Sequence, residues 1–324
     1  GLAGKVVDVL CDSVNERRID REAFIHNVTK TFRKKRCFAK LEKWYRHLIS
    51  AKPSIRAYLE LCKLLRNTGR LSEALELQKL AIKQFPKVGD FWHDLGFLYI
   101  SIGEIEQGKR VLEQMAKYMP DNIPFHDNLL FYMHDNDNAS MEELFEAHKN
   151  HAAKFYPYMN PDKKFDLDRN PDRKLRIGYV SPDFKQHSVT FFFKPLLYAS
   201  DKSRFEIFAY SNVSAGDRVT EYLKERFDHW RDISSMNNKD AAEQIENDRI
   251  DILVDLAGHT GNNRLGVFAL KPAPIQVTYL GYPNTTGLTT IDYRLTDTYA
   301  EIENAQDYYT EKLYYLEDGF LCFE

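Results

Sequence analysis

Residues 258–287 concentrate groups able to bind or move a sugar phosphate. Gly258-His-Thr-Gly-Asn-Asn-Arg264 supplies a histidine, a hydroxyl and a guanidinium within seven positions. Lys271-Pro-Ala-Pro-Ile-Gln-Val-Thr-Tyr-Leu-Gly-Tyr-Pro-Asn-Thr-Thr-Gly287 adds hydroxyls at Tyr282, Thr285 and Thr286 among turn formers. Hydroxyls and backbone amides on two neighbouring loops can cradle a phosphate or a sugar. The plainer reading is that both stretches are ordinary connections with good turn residues. A further histidine, His187, ends the run Ser181-Pro-Asp-Phe-Lys-Gln-His187.

Each stretch follows a segment that reads as a buried strand. Ile250-Asp-Ile-Leu-Val-Asp-Leu-Ala257 is short, rich in branched residues and closed by Gly258. Pro274–Gly281 precedes the second loop, and Leu175–Val180 precedes the loop carrying His187. Ligands of open α/β sheets collect beyond the carboxyl ends of the strands, so His187, His259 and Thr260 are expected at one sheet edge. Between these strands the sequence predicts helices near 190–200, 218–227 and 239–247, and strands at 205–210, near Trp230, at 292–296 and at 313–316. The alternation argues for a parallel sheet with helices on both faces. No G-x-G-x-x-G follows the first strand, so ordinary dinucleotide binding is not supported. By position alone, Asp248 reads as a turn residue between helix and strand.

The first half has a different grammar. With a 34-residue offset, Tyr58 aligns with Trp92, Leu61 with Leu95, Cys62 with Gly96, Leu65 with Tyr99, Gly69 with Gly103, Ala74 with Gly108 and Pro86 with Pro120. That period and those residue types are the tetratricopeptide signature. A large residue fills the space between two helices, a small one lets them approach, and proline ends the second helix. A degenerate copy lies upstream, from Ile25, Val28 and Phe32 to Pro53. Ser140 with Glu143 reads as a capping box opening a helix that, with 125–133, caps the repeats. Residues 157–174, with three prolines and many charges, read as a linker, giving domains 1–156 and 175–324.

Composition narrows the classes. The 324 residues are 43% hydrophobic and 13% aromatic, enough for two packed cores. A net charge of −3 and a pI near 6.4 give no electrostatic case for nucleic acid or anionic membrane. The basic clusters Arg33–Arg36 and Lys163-Lys164 are short and read as solvated faces. Cys11, Cys37, Cys62 and Cys322 are too widely spaced for a disulfide framework or a cysteine zinc site. No apolar run approaches a membrane span and the first residues lack a signal-peptide pattern, so a cytosolic protein is expected.

Several ordered motifs together resemble the O-GlcNAc transferase and SPINDLY family of protein glycosyltransferases. They are Leu175-Arg-Ile-Gly-Tyr-Val-Ser-Pro-Asp-Phe with His187, Asp251–Thr260, Arg264, Lys271–Val277 and Leu280–Leu288. The resemblance implies an α plus α/β chain: a tetratricopeptide helical solenoid followed by a Rossmann-like parallel-sheet lobe, the N-terminal half of a GT-B catalytic region. It implies inverting transfer of GlcNAc or fucose from UDP-GlcNAc or GDP-fucose to Ser or Thr of proteins, with no metal. Gly-Tyr-Pro-Asn-Thr-Thr-Gly-Leu at 281–288 and Phe320–Phe323 look nearer the SPINDLY branch. Carried over by position, His187, Asp248 and His259 are the catalytic candidates. Thr260, Arg264, Leu280, Gly281, Tyr282, Pro283 and Thr285 are the substrate-binding candidates. Polypeptide acceptors are expected to be guided by the repeats, in the cytoplasm or, in a eukaryote, the nucleocytoplasm. Because the family's second lobe supplies most nucleotide contacts, the chain is expected to be inactive alone and to self-associate through the cleft face. The alternative is a non-catalytic tetratricopeptide adaptor that retains the lobe.

Overall fold

The computed structural model describes Ile25 and residues 28–32, 37–134, 139–166 and 168–323. Cys11 and the basic run 33–36 lie outside the described residues. The chain divides into two compact units, Gly1–Phe125 and His126–Glu324.

The first unit is a stack of antiparallel helices: α1 (Phe38–Ala51), α2 (Ile55–Asn67), α3 (Leu71–Gln84), α4 (Gly89–Ser101) and α5 (Ile105–Tyr118), with the start of α6 (Ile123–Met133). The 34-residue grammar is realised physically. A Cβ on Gly96 would lie 2.7 Å from Leu112, and one on Gly108 would lie 2.9 Å from the Gly96 carbonyl, so both small residues are required by the approach of α4 and α5. Gly69 and Gly103 turn the chain at φ of 75° and 86°. Trp44, Tyr45, Leu61, Leu65 and Leu98 are fully buried in the core, with Ile25 from the upstream copy beside them.

The second unit holds most of α6, α7 (Met141–Phe155) and a sheet with helices. Its elements are β1 (Leu175–Ser181), α8 (Ser188–Ala199), β2 (Phe205–Ser211), α9 (Arg218–Lys224), β3 (His229–Asp232), α10 (Asn238–Asn247) and β4 (Ile252–Asp255). They continue with α11 (Leu265–Ala269), β5 (Ile275–Thr278), β6 (Tyr293–Thr296), a 3₁₀ turn (Ala305–Tyr308) and β7 (Lys312–Tyr315). The sheet order is β3-β2-β1-β4-β5-β6-β7 and every pairing is parallel. Order reverses direction between β1 and β4, the switch point at which a doubly wound sheet opens a crevice. One face of the sheet packs Tyr179, Phe193, Ile207, Leu223 and Val254 into a shared apolar layer.

Residues 125–133 and the helix from Ser140 were expected to cap the repeats, with a linker at 157–174, and the two compact units divide between Phe125 and His126. From His126 onward the chain belongs to the sheet unit. Buried side chains of α6 and α7, Asp127, His148 and His151, face His259 and Tyr282 of the sheet's loops, and polar groups so buried need those partners. The charged stretch after α7 is also tied down: Arg173 forms a bidentate pair with Asp251 at 2.6 Å, and Lys163 reaches Glu246 at 2.5 Å. Ser140 and Glu143 form the expected capping box at the start of α7.

Candidate active site

Three loops leave the carboxyl ends of β1, β4 and β5 and meet at a cleft of about 580 Å³. Its walls include Asp183, His187, Thr260, Leu280, Gly281 and Phe320.

The β1 loop delivers His187. Asp183 is buried, its amide held by Ser181 Oγ at 3.0 Å, while Thr190 donates to its carbonyl, so the loop is fixed at both ends. His187 is the N-cap of α8: its Nδ1 accepts from the Val189 amide at 3.3 Å, and Asp183 Oδ2 lies 3.6 Å away. With Nδ1 engaged, Nε2 is the ring nitrogen left for another partner. Burial pushes the Asp183 carboxyl above its ordinary value, against the pull of His187 and Lys185. Asp183 was not singled out from the sequence; its position four residues before the histidine was the available signal.

The β4 and β5 loops interlock through glycines. Asp255, fully buried at the end of β4, accepts from the amides of Ala257 and Gly258 and from Thr278 Oγ1 of β5. Gly258 sits at φ 54°, and a Cβ there would lie 2.2 Å from the Tyr282 Cβ. Thr260 closes the turn by donating to the Ala257 carbonyl at 2.8 Å and borders the cleft. Leu280 takes φ 65°, a conformation costing about 1–2 kcal/mol outside glycine, and it too borders the cleft. Phe320 closes over the edge because Tyr279 Oη donates to its carbonyl at 2.5 Å.

The other candidates are placed elsewhere. The side chain of His259 is buried: its Nδ1 is 2.7 Å from Asp127 Oδ1 and its Nε2 is 2.9 Å from the Thr286 carbonyl. Tyr282 is buried as well, its hydroxyl between His148 Nε2 at 2.9 Å and His134 Nε2 at 3.1 Å. Arg264 spends its guanidinium on the carbonyls of Ile233 and Met236 and on Asn238, tying down the connection from β3 to α10. Thr285 donates to Glu311 at 2.6 Å in a buried anchor for the β5 loop. Pro283 is exposed and is not among the residues lining the cleft. Asp248 caps the C-terminus of α10 on the side from which β4 begins, a full strand away from the cleft. Arg231 pairs with it at 2.9 Å and Tyr210 donates to it at 2.8 Å; burial raises its carboxyl, and these bonds bring it below its ordinary value.

Beneath the interlocked loops lies a polar layer that the sequence did not announce. Asp127, His148 and His151 come from α6 and α7, more than a hundred residues before His259. His148 Nδ1 is 2.6 Å from the Leu144 carbonyl, and burial holds its ring well below the ordinary histidine value. Burial also acts to raise the Asp127 carboxyl, but His151 and His259 outweigh it and bring it down to about 2. His151 Nε2 stands 3.1 Å from Asp127 Oδ1, within ion-pair reach but off the line of a hydrogen bond.

A separate cleft of about 440 Å³, walled by Lys163, Arg173, Arg176, Glu246 and Asp251, opens at the amino ends of β1 and β4. That edge is opposite the one on which α/β sheets bind ligands, and most of its charges are already paired.

Comparison with known proteins gives the arrangement a context. A probable UDP-N-acetylglucosamine–peptide N-acetylglucosaminyltransferase SPINDLY of Petunia hybrida is 38% identical over 211 residues, 64% of this chain and 23% of that protein. The UDP-N-acetylglucosamine–peptide N-acetylglucosaminyltransferase of Caenorhabditis elegans is 40% identical over 150 residues, 46% of this chain and 13% of that protein. The chain thus spans under a quarter of the curated relatives it matches. A solved O-GlcNAc transferase of Thermobaculum terrenum, the K341M mutant, superposes with a TM-score of 0.78 at 28% identity, covering 94% of this chain and 59% of that one. Residues 111–323, which contain every loop at the cleft and both helices behind it, match the glycosyl transferase family 41 profile, and the chain belongs to that family.

Proposed function

We propose that this protein is a protein O-glycosyltransferase that moves GlcNAc or fucose from a nucleotide sugar to Ser or Thr hydroxyls, and that the cleft at the carboxyl edge of the sheet is its half of the reaction site. The observation that carries the reading is the meeting of His187, Thr260, Leu280 and Gly281 around one cleft at the topological switch point. The relatives' names, which state transfer of N-acetylglucosamine to peptide, support the reaction class.

The chemistry asks for little beyond what such a cleft supplies. The acceptor hydroxyl oxygen forms a bond to the anomeric carbon as the bond to the diphosphate breaks, and the nucleoside diphosphate leaves with the electron pair. The hydroxyl proton passes to a base or to solvent. Dipoles aimed at the leaving phosphate do most of the work, and a positioned base adds about 10² to 10⁴. His187, rigidly seated as a helix cap, holds an imidazole at the cleft for hydrogen bonding to substrate. Gly281, with no side chain, lets the β5 loop pack directly on the β4 loop backbone, which sets the shape of this wall of the cleft. His259, Tyr282 and Thr285 act from behind, fixing the loops. The repeats offer polypeptide acceptors a docking surface, no metal takes part in transfer, and the protein works in the cytoplasm or nucleocytoplasm. No helix among the described residues is long and apolar enough to cross a membrane.

The test is a donor screen on the full-length protein with UDP-GlcNAc and GDP-fucose against protein acceptors, read by intact and peptide mass. Addition of one sugar mass to Ser or Thr is expected. No transfer from either donor, with acceptors still bound, would replace the enzyme reading by that of a tetratricopeptide adaptor.

A further inference from the structure

We propose that Asp127, His151 and His259 form a binding site for a divalent transition-metal ion of the zinc class, set behind the cleft as a pin between the helices and the β4 loop. Their ligand atoms, all buried, lie within 4.8 Å of one another. Asp127 Oδ1 is 2.7 Å from His259 Nδ1 and 3.1 Å from His151 Nε2.

Three observations favour an ion over a plain hydrogen-bonded cluster. Neither ring nitrogen of His151 has a hydrogen-bond partner, although the side chain is only 4% exposed. A buried imidazole whose nitrogens make no well-directed hydrogen bond costs about 1–3 kcal/mol, and coordination through Nε2 would remove part of that cost. The outer partners are those that orient metal ligands. His259 Nε2 faces the Thr286 carbonyl, which fixes the proton there and turns Nδ1 toward the site. Asn263 Nδ2 donates to Asp127 Oδ2 at 2.8 Å, leaving Oδ1 as the ligand oxygen. Finally, two imidazoles and one carboxylate, with a solvent oxygen in a fourth position, are a donor set that zinc accepts at about 2.0–2.2 Å per ligand.

The balance of the step is simple. The ion takes the place of the proton between His259 Nδ1 and Asp127 Oδ1, which goes to solvent. His151, whose ring packs at a tilt of 56° against Phe155 and makes no well-directed hydrogen bond, turns Nε2 to the ion. The site lies under the loops and not in the cleft, so it holds Gly258 and Thr260 in place without entering the transfer chemistry. It takes a role apart from the metal-free reaction proposed above.

The test uses the full-length protein, purified without chelator, for elemental analysis. It is then stripped with chelator and titrated with zinc ion alone, followed by thermal unfolding, and with cobalt ion, followed by visible absorption. About one ion per chain, a zinc-dependent rise in the unfolding midpoint and an intense tetrahedral cobalt band are expected. His151→Phe, which keeps the ring packing and removes Nε2, should lose the cobalt band and most of the zinc response. A stripped wild type that shows neither response overturns the site and leaves a hydrogen-bonded Asp-His pair. So does a His151→Phe protein that responds as the wild type does. Should that variant fail to fold, competition of the wild type against a chromophoric chelator decides the matter, with no zinc withdrawn from the dye counting against the proposal.

Discussion

Gly281 packs against the backbone of Leu256 so closely that a Cβ at position 281 would lie 2.1 Å from the Leu256 carbonyl oxygen. The β4 and β5 loops are therefore joined backbone to backbone, with no room for a side chain between them. Gly281→Val must push these loops apart. It is expected to destabilise the sheet unit by about 2–5 kcal/mol, the combined scale of overpacking and local strain, and to abolish binding of the nucleotide sugar. Calorimetric unfolding together with donor titration checks both; retained donor binding would place the donor elsewhere.

His187 caps α8 and, in the proposed reaction, offers its imidazole to the cleft, and substitutions can separate the two. Alanine removes both the helix cap and the imidazole, so His187→Ala should lower turnover well over tenfold and cost about 0.5–2 kcal/mol of stability. Asparagine is a good N-cap without an imidazole. His187→Asn should therefore restore the stability but not the turnover, as read from thermal unfolding and steady-state rates on the same preparations.

Asp248 separates the carried-over role from the observed position. Its carboxylate serves Arg231, Tyr210 and Gln244 at the far side of the strand from the cleft. Asp248→Asn is expected to leave kcat within about threefold and to lower stability by about 1–3 kcal/mol through the weakened pairing. A kcat loss of a hundredfold with unchanged stability would return Asp248 to the reaction path.

The buried histidines make stability depend on pH in a defined direction. Burial lowers the folded-state values of His148 and His151 below the ordinary 6.5, so the unfolded chain binds more protons. Their contribution is present above about pH 6.5 and is lost as pH falls below it. Urea unfolding in the presence of chelator should show a midpoint that drops between pH 7.5 and 5.5, and His148→Gln should flatten that drop. The Asp127 carboxyl, brought to about 2 from 3.8, adds a second loss confined to roughly pH 4 down to 2.

Much of the fold was legible because local chemistry repeats it. The 34-residue period placed Gly96 and Gly108 at helix crossings, and each apolar strand run was followed by its loop, so the sheet edge carrying His187 and Thr260 could be foreseen. The ties of α6, α7 and the charged stretch to the sheet were not legible. Residues 157–174 have linker composition, yet Arg173 and Lys163 are bound to Asp251 and Glu246, and the polar faces of α6 and α7 were written for partners far along the chain.

The sequence by itself determined most of the helices and strands, though not the short helix Leu265–Ala269 or the 3₁₀ turn Ala305–Tyr308, that the chain has repeats before a parallel sheet, and which loops leave the carboxyl edge, because these follow from periodicity and backbone preference. Only the tertiary structure decided which way each candidate faces. His259 turns inward because Asp127, 132 residues away in sequence, offers it a buried carboxylate. Thr285 turns inward because Glu311 needs a donor, and Asp248 is drawn to Arg231. Side-chain direction is set by the partner that satisfies a buried polar group, and that partner is known only once the chain is folded.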